Sequence, residues 1–420
     1  MEQQPDGLAA LLERQRFTPH HPGLLRPSYD GHGIANLPWT LLRALGLPME
    51  GTPLSPELVP PALLDGVRSV LLVVVDALGY LQLSRAMAAG DAPTISALAE
   101  RGAFFPLTST FPSTTVAALT TLQTGYPPAR HGLVGYTCYL REFGMLTNLI
   151  RLAPVGAFPS FAAFGFEPRR LLPAPTIYER AIEGGLAAAM VNHRDYERSP
   201  LSRLHAEGIP YHAYTHLGDF ATTTRSAALA PGPHLTVAYW PALDLIGHQY
   251  GPQSEPALAE LRALDAALGR ELVGRLQRDD LLVVLTADHG QVQLDPDAVQ
   301  GLNRHRDLLA WLRVPPAGER RAGYFYPLPG AEEAVLAALI DLAGERAVLS
   351  RGHALLEGGL LGEGPFDPEV THRVGEVVLM ATGRASFPFT PTWESAVAMR
   401  GAHGSLEAEE MLVPCLVWRP

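Results

Sequence analysis

Six residues have side chains and settings that suit metal-ion chemistry. Asp76 closes the apolar run "SVLLVVVDALGY" (Ser69–Tyr80). Asp244 follows "LTVAYWPALD" (Leu235–Asp244), and His248 comes four residues later in "DLIGHQYGP". At helical spacing that pair faces one side and can share an ion. "LLVVLTADHG" (Leu281–Gly290) runs out into Asp288 and His289, where a turn lets both approach one cation. His403 sits in the Gly-flanked "RGAHGS" (Arg400–Ser405). Singly, each has an ordinary reading: an Asp after a strand caps a turn or helix, and a Gly-flanked His is a loop residue. As a set, three Asp and three His offer oxygen and nitrogen donors without thiolate. Such a set suits two zinc-like ions better than calcium or magnesium, and it argues against a closed structural site. Two close ions would stabilise the attacking and leaving oxygens of an in-line phosphoryl displacement.

A hydroxyl nucleophile would complete such a site. "STFPSTTVAALTTLQTG" (Ser109–Gly125) offers Thr110, Thr114 and Thr115 as rivals. Pro112 disfavours helix at Phe111, and Ser113 or Thr114 is a natural N-cap. Thr115 then falls in the first helical turn, where free N–H groups and the helix dipole favour anions. Thr110 lies in extended chain without those donors. This ordering favours Thr115, then Thr114, then Thr110.

The three apolar runs that deliver the acids read as strands covered on both faces. Helical patterns lie between them, notably "TTVAALTTLQTG" and a long amphipathic one over Ser254–Gln277. Alternation of this kind predicts an α/β fold with a doubly wound, mostly parallel sheet flanked by helices, whose ligands bind at the carboxyl ends of strands. Residues 67–290 make the expected core. Residues 291–386 read as a smaller α+β cap insertion, 387–420 as a return to the core, and 1–66 as a loop and helix packed on it.

Composition narrows the function. The 420 residues are 47% hydrophobic and 18% charged, enough for a large core. A formal net charge of −11 disfavours nucleic acid or an anionic membrane as partner. The two cysteines, Cys138 and Cys415, form no disulfide framework, which points to a reducing, cytoplasmic setting. The N-terminal stretch lacks a signal-peptide pattern, and no run approaches the ~18 apolar residues of a membrane span.

The order "VVVDALGY … TTVAALTTLQTG … DLIGHQYGP … ADHG … GAHG" resembles the alkaline phosphatase superfamily, and within it the nucleotide pyrophosphatase/phosphodiesterases. The resemblance covers about residues 67–290 and 387–420. It implies that Asp76, Asp288 and His289, with Thr115, hold one ion, and that Asp244, His248 and His403 hold the other. The ions implied are zinc, with manganese as the alternative. The superfamily places its nucleophile nine residues before the residue that precedes a Gly, and Thr115 stands nine before Thr124 and Gly125. It implies a two-step displacement through a covalent phosphothreonine or nucleotidyl-threonine. Diesterase relatives carry an Asn where this chain has Tyr136; a phenol can still donate one hydrogen bond to a phosphoryl oxygen. Arg141, Asn148 and Arg151 are alternative phosphate contacts. The implied substrate is a small phosphodiester or nucleotide-like molecule. Monoesterase and phosphonate hydrolase are the alternatives, as is a non-catalytic phosphate-binding protein. A sulfatase is excluded, because Thr115 lies outside any C/S-x-P-x-R pattern.

Overall fold

Residues 4–18, 21–156, 158–390 and 392–420 are described by the computed structural model. Its central sheet has seven strands: β1 Ser69–Val75, β2 Ala103–Thr108, β3 Ala187–His193, β4 Tyr211–Tyr214, β5 His234–Trp240, β6 Leu281–Thr286 and β7 Leu412–Trp418. Their spatial order is β2-β7-β6-β1-β5-β3-β4. From β6 across to β4 every pairing is parallel, and β7 runs antiparallel to both neighbours. Every residue of β1 and β6 is buried, as the unbroken Val/Leu runs predict for strands covered on both faces. The α/β, mostly parallel fold therefore stands as read. Because β1, β5 and β6 are parallel neighbours, their carboxyl ends lie side by side, and Asp76, Asp244 and Asp288 come out at one edge.

Three helices bear on that edge: α1 Thr115–Thr124, α2 Ala242–Tyr250 and α3 Glu255–Ala267. The amphipathic pattern over Ser254–Gln277 predicts one long helix, but α3 stops at Ala267 and continues as a π-turn and a 3₁₀ turn. There the Arg225 guanidinium donates to the Glu271 carbonyl at 2.6 Å, a side chain entering the helical ladder.

A second seven-stranded sheet lies beyond the site, in the order 347–351, 377–381, 322–325, 317–318, 137–140, 145–148, 153–154. Four strands come from the segment 291–386 read as the cap. Three come from within 67–290, so the second layer draws on two stretches of chain rather than one. They join where Thr137 pairs with Gly318. The two layers share one continuous core that includes β1 together with Tyr324, Val378 and Met380. A smaller core, with Val335, Leu339 and Phe325, seats the helix Glu332–Ala343 on the second sheet.

A fully buried ion pair fastens this layer to the central sheet. Arg321, in the hairpin between 317–318 and 322–325, meets Glu410 at 2.9 Å, just ahead of β7. The N-terminal segment packs on the core through buried Leu24, Leu25 and Ile34, and Trp39 Nε1 donates to the Gly125 carbonyl at the end of α1. Among the described residues, no helix is long and apolar enough to cross a membrane.

Candidate active site

Asp76 leaves the end of β1 almost fully buried. Ala77, next to it, has φ 59°, a left-handed backbone that a residue with a Cβ adopts at a cost. That turn aims the Ala77 N–H at Asp288 Oδ1, 3.2 Å away at the end of β6. The His289 N–H also donates to Asp288 Oδ1, at 2.9 Å. Both carboxylates then direct their other oxygens inward. His289 Nε2 lies 3.5 Å from Asp76 Oδ1 and 3.5 Å from Asp288 Oδ2. Those two oxygens are buried without a hydrogen-bond partner. Buried acceptors are normally satisfied, so a pair left open around one imidazole nitrogen fits a cation. Burial, reinforced for Asp76 by the charges of Asp288 and Asp244, pushes both carboxyls above the usual carboxylate range. The Tyr239 hydroxyl, from the neighbouring strand β5, donates to Asp76 Oδ2.

The second group stands on a helix and a loop. Asp244 and His248 lie one turn apart on α2, with His248 Nε2 at 3.3 Å from Asp244 Oδ1. His403 Nε2 approaches the same oxygen at 3.7 Å. Gln291 Nε2 donates to Asp244 Oδ1 at 2.5 Å and orients it. Gly247 makes that approach possible, since a Cβ there would meet Gln291 Oε1 at 2.0 Å. Burial acts to raise the Asp244 carboxyl, but His248 and its hydrogen bond outweigh it and hold the carboxyl below its ordinary range. His248 is displaced upward: burial opposes its charge, and Asp244 outweighs that. His403 is held down by burial and by neighbouring His289.

All three imidazoles use the same design. His289, His248 and His403 turn Nδ1 to the carbonyls of Gly290, Gly401 and Ser113, at 3.0, 2.9 and 2.9 Å. A ring that donates Nδ1–H to a carbonyl keeps the Nε2 lone pair for a metal. Ligand atoms of Asp76, Asp288 and His289 lie within 4.8 Å of one another, and so do those of Asp244, His289 and His403. The six residues singled out in the sequence thus converge, with His289 at the junction.

The hydroxyls separate clearly. Thr115 is the first residue of α1, and its Oγ1 lies 3.2 Å from His289 Nε2. Thr110 Oγ1 donates to the Pro112 carbonyl at 3.0 Å, and Ser113 Oγ donates to the Ser405 carbonyl at 2.8 Å. Thr114 is the N-cap, but its side chain caps nothing. It donates instead to Glu319 Oε1 at 2.5 Å. Tyr136 is 40% exposed and donates its backbone N–H to that same Glu319 oxygen at 2.9 Å. Arg141 is ion-paired with Glu369, Asn148 Oδ1 accepts from the Arg151 N–H, and none of the three lines the cavities beside Thr115.

Two cavities open on Thr115. One, of about 710 Å³, passes Asp76 and Asp244 and is walled by Leu119, Met190 and Trp240. The other, of about 490 Å³, contains Tyr136, His248, His403 and Glu319. Glu319, Gln291 and Tyr239 were not singled out in the sequence. Burial lifts the Glu319 carboxyl to about 7 against the hydrogen bonds from Thr114 and Tyr136.

A family model described as type I phosphodiesterase / nucleotide pyrophosphatase matches residues 70–406. The chain belongs to this family. It is accordingly a phosphoric ester hydrolase, and as a type I phosphodiesterase family member its paired donor groups answer to the two-metal chemistry typical of the family. Solved structures share the fold. Murine ectonucleotide pyrophosphatase/phosphodiesterase 5 aligns at 19% identity over 84% of this chain and 88% of that one, with a TM-score of 0.63. An inactive threonine-to-alanine form of the murine protein, in complex with AMP, aligns at 18% identity over 83% and 87%, with a TM-score of 0.62. Phosphonoacetate hydrolase from Sinorhizobium meliloti, in complex with phosphonoformate, aligns at 20% identity over 84% and 90%, with a TM-score of 0.61. No curated protein shows significant similarity to the chain.

Proposed function

We propose that the chain is a two-zinc phosphodiesterase of the nucleotide pyrophosphatase type, with Thr115 as nucleophile. The observation that carries this reading is the position of Thr115 Oγ1. At the head of α1 it lies 3.2 Å from His289 Nε2, a candidate ligand atom, whereas Ser109 Oγ is spent on the Asp288 main-chain carbonyl. The murine relative inactivated by a threonine-to-alanine change supports the role. Asp76, Asp288 and His289, with Thr115, would hold one ion, and Asp244, His248 and His403 the other. When bound, the two ions supply positive charge that eases ionisation of the threonine and balances the phosphoryl oxygens. The three imidazoles favour zinc over magnesium or calcium, with manganese second.

The chain's own residues do the rest. The first-turn N–H groups and dipole of α1 favour an anion at Thr115. Thr115 Oγ1 attacks phosphorus, the bond to the leaving oxygen breaks, and that oxygen departs with a proton from solvent. Water then cleaves the bond from phosphorus to the threonine oxygen of this esterified phosphothreonine, releasing the phosphomonoester and restoring the hydroxyl. Tyr136, at the rim, offers its phenol to a phosphoryl oxygen. We take 67–290 and 387–420 as the catalytic unit. The cavity sizes suit a small phosphodiester or nucleotide-like substrate, and the net charge of −11 suits no nucleic acid polymer or membrane surface. Cys138 and Cys415 are free and buried, which supports a cytoplasmic location.

The test is a zinc-loaded panel of bis-aryl phosphate, aryl monophosphate, aryl phosphonate and a nucleotide aryl ester. Diester and nucleotide ester hydrolysis should lead. A monoester rate far above both diesters would overturn the choice, and a leading phosphonate would favour the phosphonate reading. Thr115→Ala should abolish turnover and retain zinc; normal activity in that variant would remove the nucleophile assignment.

A further inference from the structure

Glu319 puts a carboxyl group into the cavity that holds Thr115, His248 and His403. The chain contains no lysine. Among the described residues lining the two cavities, Arg320 is the single arginine. Its guanidinium is engaged with the Ala396 carbonyl at 3.1 Å. Glu319, by contrast, hydrogen-bonds Thr114, the residue directly before the nucleophile, and lines the same cavity as Thr115, His248 and His403.

Its position is built rather than accidental. Glu319 lies in the hairpin that links 317–318 to 322–325, and its backbone N–H donates to the Ala322 carbonyl at 2.7 Å. Two residues on, the buried Arg321–Glu410 pair anchors the hairpin to the central sheet. The hydroxyl of Thr114 and the N–H of Tyr136 both grip Oε1. Gly404, beside His403, has φ +122°, and a Cβ there would meet the Glu319 Cβ at 2.8 Å. The loop carrying a candidate ligand is therefore shaped to admit this side chain.

We propose that Glu319 is a specificity-determining residue that selects phosphoryl groups by charge, admitting monoanionic diesters and rejecting dianionic monoesters. This rests on the function proposed above. With ions held by the two donor groups, a phosphoryl group on Thr115 would turn oxygens toward them and leave its remaining substituent toward the cavity that Glu319 lines. In a diester that substituent can be an esterified, uncharged oxygen. In a monoester it is a second anionic oxygen set against a carboxylate in the same cavity, where like charges repel.

The experiment compares zinc-loaded wild type with Glu319→Gln and Glu319→Asp, at about pH 8, above the second ionisation of a phosphate monoester. Two quantities are read. One is the ratio of kcat/KM for an aryl monophosphate to that for a bis-aryl phosphate. The other is calorimetric affinity for orthophosphate against dimethyl phosphate. Glu319→Gln should raise the monoester-to-diester ratio roughly tenfold or more and tighten orthophosphate relative to dimethyl phosphate by a similar factor. Glu319→Asp should keep the wild-type values, because the charge is retained. A Gln variant in which both quantities stay put overturns the proposal. A wild type inactive on both esters sinks the functional reading alone, since the affinity comparison still decides Glu319. If the Gln variant does not fold, the wild type decides: dimethyl phosphate bound at least as tightly as orthophosphate supports the charge filter, and a strong preference for orthophosphate overturns it.

Discussion

The two donor groups around Thr115 stand on different supports. Asp76, Asp288 and His289 come off the ends of β1 and β6, in the middle of the sheet, with side chains exposed by 5%, 0% and 0%. Asp244 and His248 stand on α2 at 17% and 20%, with His403 on a loop at 7%. In the first group Asp288 is fixed by the main-chain N–H groups of Ala77 and His289, just past the ends of adjacent strands, and Asp76 by the Tyr239 hydroxyl from a third strand. The second is fixed by a glutamine side chain, a helical turn and a loop, and it lines both the open cavities. In the proposed reaction a site assembled this way has a more rigid half, which would set where the phosphoryl group sits, and a more accessible half, through which substrate and water would arrive. The unequal electrostatics agree. With no ion present, like charge and burial push Asp76 and Asp288 toward the protonated form, whereas Asp244 already has partial compensation from His248.

The largest expected effect comes from removing a ligand in the rigid half. Asp288→Asn should reduce kcat/KM by about a thousandfold or more and lose one equivalent of zinc, since a metal supplies several kcal/mol to the transition state. Excess zinc should not restore it, because the amide would leave a buried site unable to balance the ion. His248→Ala should cost less and recover partly with added zinc, because solvent can enter and replace the imidazole. Equal losses and equal rescue in the two variants would erase the distinction between the halves.

Next come the groups that orient the ligands. Tyr239→Phe removes the hydroxyl on Asp76, and Gln291→Ala removes the amide on Asp244. Each should weaken zinc at its own half by about 10–100-fold, the usual worth of such partners. Competition against a chromophoric chelator would resolve the two halves. The Gln291 variant should release its first ion faster than wild type, whereas the Tyr239 variant should alter the second, slower release. If both variants change the same phase, the two ions are not held independently.

The six donor residues that the structure brings together were legible in the sequence because most of them mark an end or a helical turn. Asp76 and Asp288 follow runs of apolar residues that can only be buried strands, and His248 follows Asp244 by one helical turn. Their partners were not legible, because the relation depends on strand order. Tyr239 reaches Asp76 only because β5 and β1 are neighbours. Gln291 reaches Asp244 because β6 ends near α2. Glu319 arrives from a different sheet, on a hairpin whose pairing with 137–140 the short, half-polar strands do not announce. The share of 137–154 in the second sheet was hidden for the same reason: a four-residue strand such as Thr137–Leu140 alternates too briefly to be read. The N-cap shows a subtler limit. Sequence placed Ser113 or Thr114 at the head of α1 for capping, and Thr114 is there, but its hydroxyl is taken by Glu319.

The smallest expected effect is the pH dependence of stabilisation by zinc. In the metal-free protein, Asp76 and Asp288 are raised above their unfolded value near about 3.9, and His248 is raised above about 6.5. For these groups the folded state binds more protons than the unfolded chain. Their contribution to metal-free stability is fully present below the unfolded pKa values and is lost as pH rises through the folded ones. Zinc needs the deprotonated ligands and therefore displaces those protons. His403, held down by burial, is already neutral and has no proton to surrender. Glu319, lifted by burial to about 7 beside the donor groups, also loses its proton within this window and adds to the effect in the same sense, whereas groups remote from the site titrate alike with and without the ion and cancel in the difference. The rise in Tm on adding zinc should thus be larger at about pH 8 than at about pH 6, by a few degrees for a chain of this size. The Gln291→Ala variant, whose rigid half is untouched, should keep most of that pH dependence if the Asp76–Asp288 pair is its main source. A zinc-induced rise that is flat across this range would mean that neither the buried carboxyls nor His248 give up protons to the metal.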